Sequence, residues 1–190
     1  MCIRDRIKDK HPCIADIMKD EEEHEMKLLN ILSEEKIKYA SSIVLGLNDA
    51  LVELTGSIAG LSLALGDTKT VGVAGLIIGI AASLSMAASS YLSSKESEDE
   101  NPGKAALYTG VAYILTVVLL VLPYFILTNV LMALGITLVE VLLIIASYSY
   151  YMSVVKDERF MAKFGEMATI SLGVALISFL IGGLLRGFGV

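Results

Sequence analysis

The sequence of 190 residues has too few cysteines and too few dispersed charges for two common classes of protein. Its two cysteines, Cys2 and Cys13, are too few and too close to the terminus to form a disulfide framework. Charged residues make up only 19% of the chain, and they are clustered, so that long segments carry almost no charge. Together with a mean hydropathy of +0.68, this is the composition of an integral membrane protein rather than a soluble globule.

Three further absences narrow the class. The chain has no excess of basic residues, since its formal net charge is -6, which argues against a nucleic-acid partner and weakly favours the handling of cations. No apolar run occurs near the N-terminus, so we expect no signal peptide. Polar and apolar residues do not alternate with a period of two, which argues against membrane-spanning strands.

The first six residues, "MCIRDR", match the translation of a transposon-end sequencing adapter. We therefore expect residues 1–6 to be an artefact and the natural N-terminus to be missing, and we leave them out of the interpretation of the fold. Residues 7–38 are polar with a helical spacing of apolar positions, which predicts a cytosolic amphipathic helix.

Five long apolar segments follow, each of which can cross a hydrocarbon core of about 30 Å as a helix. The predicted fold is thus all-α, a polytopic membrane protein with five transmembrane helices after the amphipathic helix. The transmembrane domain is residues 39–190, and the predicted spans are 39–65, 71–92, 105–127, 130–155 and 166–188.

Lysine and arginine predict the orientation of these spans. Most of them lie on one side of the membrane, and only Lys69 and Arg186 lie on the other. Because cytosolic loops carry the excess of basic residues, the sequence predicts a cytosolic N-terminus and an external C-terminus. The basic residues assigned to the cytosol are Lys36, Lys38, Lys95, Lys104, Lys156, Arg159 and Lys163.

The first span carries two carboxylates, Asp49 and Glu53, within "GLNDALVELTG". They are one helical turn apart and share a face, which continues through Gly56 and Gly60. The two glycines form a small-xxx-small motif that lets helices approach closely. We therefore expect the carboxylates to face a protein interface rather than lipid.

The second span has a similar stripe of small residues, with Gly75 and Gly79, and one long side chain among them, Met86. The favoured interpretation is that Met86 fills a gap in the packing. The alternative is a soft thioether ligand for a metal.

At a helical rise of about 1.5 Å per residue, Asp49 is level with Met86, and Glu53 is level with Glu140 of the fourth span. Intramembrane carboxylates usually mark ion or proton pathways. Their oxygens suit divalent cations, and a thioether shifts the preference towards Fe²⁺ or Mn²⁺. A carboxylate can also take up a proton when the metal leaves. The alternative is a carboxylate that only packs, hydrogen-bonded to Asn48, Thr55 or a tyrosine.

The stretches "GLNDALVELTGSIAGLS" and "SLSMAASSYLSSKE" resemble the first-span and second-span motifs of the vacuolar iron transporter family. The resemblance covers about residues 39–190. It implies a homodimer, not an enzyme, that moves Fe²⁺ or Mn²⁺ out of the cytosol in exchange for protons, with no permanently bound cofactor. It assigns Asp49 and Met86 to the ion path, and it suggests the cell membrane of a prokaryote as the location.

The chain departs from the family pattern in the second span, where Ile78 occupies the position of the family's usual glutamate. Glu53 is the candidate to replace that carboxylate. In the N-terminal region, Glu21 and His24 resemble the Glu-x-x-His of ferritin-like helices, as in a truncated ferritin-like domain, although a solvated acidic helix is favoured for these residues. Two alternative functions follow: a membrane anchor for a ferritin-like iron oxidoreductase, and a transporter of another cation.

Overall fold

The computed structural model describes residues 34–97, 101–156 and 159–188. Within these ranges the chain forms five α-helices and no strands, which confirms the predicted helical class. Each helix is long and apolar enough to cross a membrane. The helices are α1 (Glu34–Leu65), α2 (Thr68–Glu96), α3 (Pro102–Ile126), α4 (Val130–Lys156) and α5 (Phe160–Gly187).

The chain divides into two compact units, residues 1–41 and residues 42–190. All five candidate spans lie in the second unit, where the span of α1 begins at Ser42. Of the first unit, only the start of α1 is described. Residues 1–6 and most of the predicted amphipathic helix, including Glu21 and His24, therefore lie outside the described residues.

The helices continue beyond the apolar segments because polar residues cap and extend them. At the α1–α2 connection, Gly66 adopts a φ of 69°, a left-handed conformation that favours glycine at a helix end. Asp67 then caps α2, since its carboxylate accepts hydrogen bonds from the Thr70 amide at 2.8 Å and the Thr70 hydroxyl at 2.6 Å. This side chain satisfies an otherwise unpaired amide at the helix start.

The spans of α1, α2 and α3 pack closely through small residues and hydroxyl groups. A Cβ atom on Gly79 would overlap with Val117 of α3, and one on Gly75 would lie 3.2 Å from Ile58 of α1. The hydroxyls of Ser62 in α1 and Tyr124 in α3 are 2.8 Å apart. The small stripe of α2 is therefore filled by side chains from the same chain, as expected where small residues let helices approach.

The remaining two helices complete the bundle. The Thr137 hydroxyl of α4 donates to the Leu120 carbonyl of α3 at 3.0 Å, and α4 also contacts α5. The glycine pair of the first span faces α5: a Cβ on Gly56 would lie 2.7 Å from Val174, and one on Gly60 would lie 3.0 Å from the Ser178 carbonyl oxygen. These contacts hold α1 against three of its neighbours in the second unit, α2, α3 and α5.

Candidate functional site

Asp49 and Glu53 are brought together by the helical geometry of α1. They are one turn apart on one face, and their carboxyl groups lie within hydrogen-bonding reach of each other. Asp49 is half-buried, whereas Glu53 is exposed on the surface of the single chain. Two carboxylates at this separation repel each other when both are charged, so the pair favours a cation or a shared proton between them.

A third side chain joins this pair from α3. The Tyr113 hydroxyl donates a hydrogen bond to Oε2 of Glu53 at 3.0 Å. Tyr113 itself has no exposed surface and belongs to the hydrophobic core. The bond therefore runs from a fixed, buried donor to a carboxylate at the surface of the bundle.

The sequence predicts a tyrosine as one possible partner of the carboxylates but does not single out Tyr113. The available signal was general: a tyrosine in an apolar span needs a partner for its hydroxyl group. Thr55 does not take this role, because its Oγ1 atom is buried without a hydrogen-bond partner among the described residues, and the Oδ1 atom of Asn48 is likewise buried without one. Asn48 nevertheless precedes Asp49 directly and stays a secondary candidate.

Glu140 lies on α4, and its Oε2 atom is buried and accepts no hydrogen bond from the described residues. One turn earlier on α4, Thr137 bonds to Leu120 of α3. An unpaired buried carboxylate oxygen is costly, and it gives Glu140 the capacity to bind a proton or a cation. No contact in the described chain joins Glu140 to Glu53, so their pairing stays a prediction based on depth.

Met86 is half-buried and packs against the hydrophobic core. This position agrees with the gap-filling interpretation, and no described contact joins its thioether to Asp49. The next residue, Ala87, faces α3, where a Cβ on Gly110 would lie 3.2 Å from the Ala87 side chain. A role for Met86 as a metal ligand therefore stays a prediction.

The acidic groups of one chain provide only part of a metal site. Among the described residues, no three His, Cys, Asp or Glu side chains cluster closely enough to hold a metal ion. The α1 pair supplies two carboxylates, with Tyr113 bonded to one of them. Divalent transition metals usually take four or more ligands, so further ligands must come from other side chains, water or another subunit.

Comparison with known protein families gives a match to part of the chain. Residues 40–101, which include the α1 carboxylate pair and Met86, match the profile of the VIT family. No curated protein matches the chain. The matched region contains the spans of α1 and α2, and the spans of α3, α4 and α5 lie beyond it. Over residues 40–101 the chain is therefore similar to the VIT family, and the described residues include five helices long and apolar enough to cross a membrane.

Proposed function

We propose that the protein exports Fe²⁺ or Mn²⁺ from the cytosol in exchange for protons, through the α1 carboxylates at the interface of a homodimer. The observation that carries this proposal is the adjacency of Asp49 and Glu53 within a spanning helix. A membrane protein retains charged groups at such a depth when they serve an ion or proton pathway.

The exposure of Glu53 supports the dimer. A carboxylate at the centre of a spanning helix is costly when it faces lipid, by several kcal/mol on most scales. Glu53 is exposed on the single chain, so a second copy that covers this face would shield the carboxylate and bring a second acidic pair to it. Two copies would then supply four carboxylates, which is enough for the oxygen ligands of a divalent ion.

Proton exchange follows from the closeness of the two carboxylates. When a metal ion is bound, its charge stabilises both ionised groups. When the ion leaves, the two negative charges lie side by side in a region of low dielectric constant, and taking up a proton relieves their repulsion. Glu140, with its unpaired buried oxygen, is a candidate to pass protons to or from this pair.

The distribution of basic residues supports the proposed orientation of the chain in the membrane. Lys95 at the end of α2 and Lys163 in the first turn of α5 lie on the side predicted to be cytosolic, whereas Lys69 and Arg186 lie at the opposite ends of α2 and α5. The positive-inside rule predicts that the side with Lys95 and Lys163 faces the cytosol. We propose the cell membrane of a prokaryote as the location.

The test is metal uptake into proteoliposomes under an imposed pH gradient. We expect Mn²⁺ and Fe²⁺ uptake with the parent protein, and we expect Asp49→Asn and Glu53→Gln to lose most of it. Glu166→Gln is a matched control, since Glu166 is an exposed carboxylate that pairs with Lys163 at 3.6 Å. Unchanged transport by both α1 variants would refute the proposal.

The same assay distinguishes the ion and the coupling. Competition by Co²⁺, Zn²⁺ and Ca²⁺ tests whether the site prefers transition metals, as a mixed oxygen and thioether site would. A pH-sensitive dye inside the vesicles reports proton movement in the opposite direction to the metal. Metal uptake without proton movement would support metal transport but refute its exchange for protons.

A further inference from the structure

The hydrogen bond between Tyr113 and Glu53 joins two side chains of very different mobility. The Tyr113 ring is fully buried in the core, so that its hydroxyl is fixed in place. Glu53 is an exposed side chain with several rotatable bonds, and holding such a side chain in one conformation costs conformational entropy. A fixed donor at 3.0 Å from Oε2 selects one of the conformations that Glu53 would otherwise sample.

The selected conformation is the one in which the two carboxyl groups are neighbours. With Glu53 bonded to Tyr113, its carboxyl group lies within hydrogen-bonding reach of Asp49. The hydrogen bond therefore favours an ordered pair of oxygen ligands before the metal arrives.

We propose that Tyr113 is a positioning residue that holds the Glu53 carboxylate beside Asp49, so that α1 presents a preformed pair of ligands to the metal ion. This inference rests on the proposed function. Tyr113 acts through Glu53 and does not itself bind the ion. Preorganised ligands bind more tightly because the cost of ordering them has already been met in folding.

Helix α3 offers a matched control for this role. Tyr124 is also fully buried in α3, and its hydroxyl lies 2.8 Å from Ser62 of α1. Ser62 already donates to the Ile58 carbonyl at 2.7 Å, and neither group is a carboxylate. Tyr124→Phe therefore removes a buried hydroxyl between the same two helices without changing the acidic pair.

The experiment measures Mn²⁺ uptake and Mn²⁺ binding for the parent, Tyr113→Phe and Tyr124→Phe, using the whole chain. A hydrogen bond to a charged group is worth about a tenfold change in an equilibrium constant or more. We expect Tyr113→Phe to raise KM and the binding Kd for Mn²⁺ by about tenfold while kcat changes less. We expect Tyr124→Phe to keep the parent's KM and Kd.

A double-variant cycle tests whether Tyr113 acts through Glu53. In a chain that already carries Glu53→Ala, Tyr113→Phe has no carboxylate to release, and we expect no further increase in Kd. A Tyr113→Phe protein with the parent's KM and Kd would overturn the inference and leave the proposed function standing. Equal effects of Tyr113→Phe and Tyr124→Phe, or an undiminished effect in the Glu53→Ala chain, would also overturn it. A parent protein that transports no metal would instead refute the proposed function.

Discussion

The closest approach between α1 and α5 makes a substitution at Gly182 a direct test of the packing. A Cβ atom at this position would overlap with the carbonyl oxygen of Gly60 and would lie 2.9 Å from its carbonyl carbon and 3.2 Å from its Cα. All three are backbone atoms of α1, which cannot rotate away as a side chain can. In Gly182→Ala, α1 and α5 must therefore move apart.

The size of the effect follows from these distances. Ordinary van der Waals contact begins at 3.4 Å, so the carbonyl carbon alone requires a shift from 2.9 to 3.4 Å, about 0.5 Å, and the oxygen requires more. Overpacking of this kind costs about 1–3 kcal/mol, and sometimes more. At about 2–4 °C per kcal/mol for a chain of this size, we expect Gly182→Ala to lower the Tm by several degrees.

The assay is thermal unfolding of the purified protein in detergent, with Gly173→Ala as the control on the same helix. A Cβ on Gly173 would meet nothing within 4 Å, and alanine has a higher helix propensity than glycine, so this variant should melt at or above the parent's Tm. If Gly182→Ala had the same Tm as the parent and as Gly173→Ala, α1 and α5 would not approach each other as described. That result would refute the close packing of α1 against α5.

Two further substitutions test the helix cap and the contact between α3 and α4. The hydrogen bonds from Thr70 lower the pKa of Asp67 below its usual 3.8, so the stabilisation that they provide is complete above pH 3.8 and is lost as the pH falls through the lower folded value. Asp67→Ala should lower the Tm at pH 7, and melting curves at falling pH should show the difference from the parent shrinking below pH 3.8. Thr137→Val removes the buried hydrogen bond to the Leu120 carbonyl. We expect a denaturant titration to show that the free energy of unfolding falls by about 0.6 kcal/mol. A fall of more than about 2 kcal/mol would mean that the substitution disturbs more than this bond.

Hydropathy and length were sufficient to predict the five spanning helices, because every backbone group in hydrocarbon must be paired within its own segment. They did not predict where the helices end. The apolar stretch of the last span was predicted to begin at Glu166, whereas α5 begins at Phe160. Likewise, α2 begins at Thr68 rather than at residue 71, because the Asp67 cap starts the helix before the apolar run. Capping and helix propensity, rather than hydropathy, set these boundaries.

The stripes of small residues can be recognised in the sequence, but the helices that pack against them cannot. The spacing of Gly56 and Gly60 indicates that some helix approaches α1 closely, and it is equally compatible with a neighbour in the same chain or a second copy. In the structure the neighbour is α5, through Val174, Ser178 and Gly182. This choice depends on how loops and core side chains arrange five helices, and no local pattern encodes it.

The acidic pair and its tyrosine show the same limit. The adjacency of Asp49 and Glu53 follows from the helical repeat alone and was predictable. The identity of the tyrosine was not, because α3 contains Tyr108, Tyr113 and Tyr124 and the sequence does not show which of them reaches α1 beside a carboxylate. In the fold, Tyr124 meets Ser62 and Tyr113 meets Glu53. Both hydrogen bonds join α1 to α3, at two different positions along the helices.

The position of Tyr113 limits where a metal ion can approach. Its ring fills the core behind Glu53, so the buried side of the carboxylate is occupied by the hydroxyl that donates to Oε2. The exposed side of Glu53 is the side that remains for the ion, next to Asp49. The proposed pathway therefore runs along the outer face of α1 rather than through the middle of one bundle. A pathway on that face is exposed to lipid unless a second copy of the chain covers it. The proposed site therefore requires the proposed dimer.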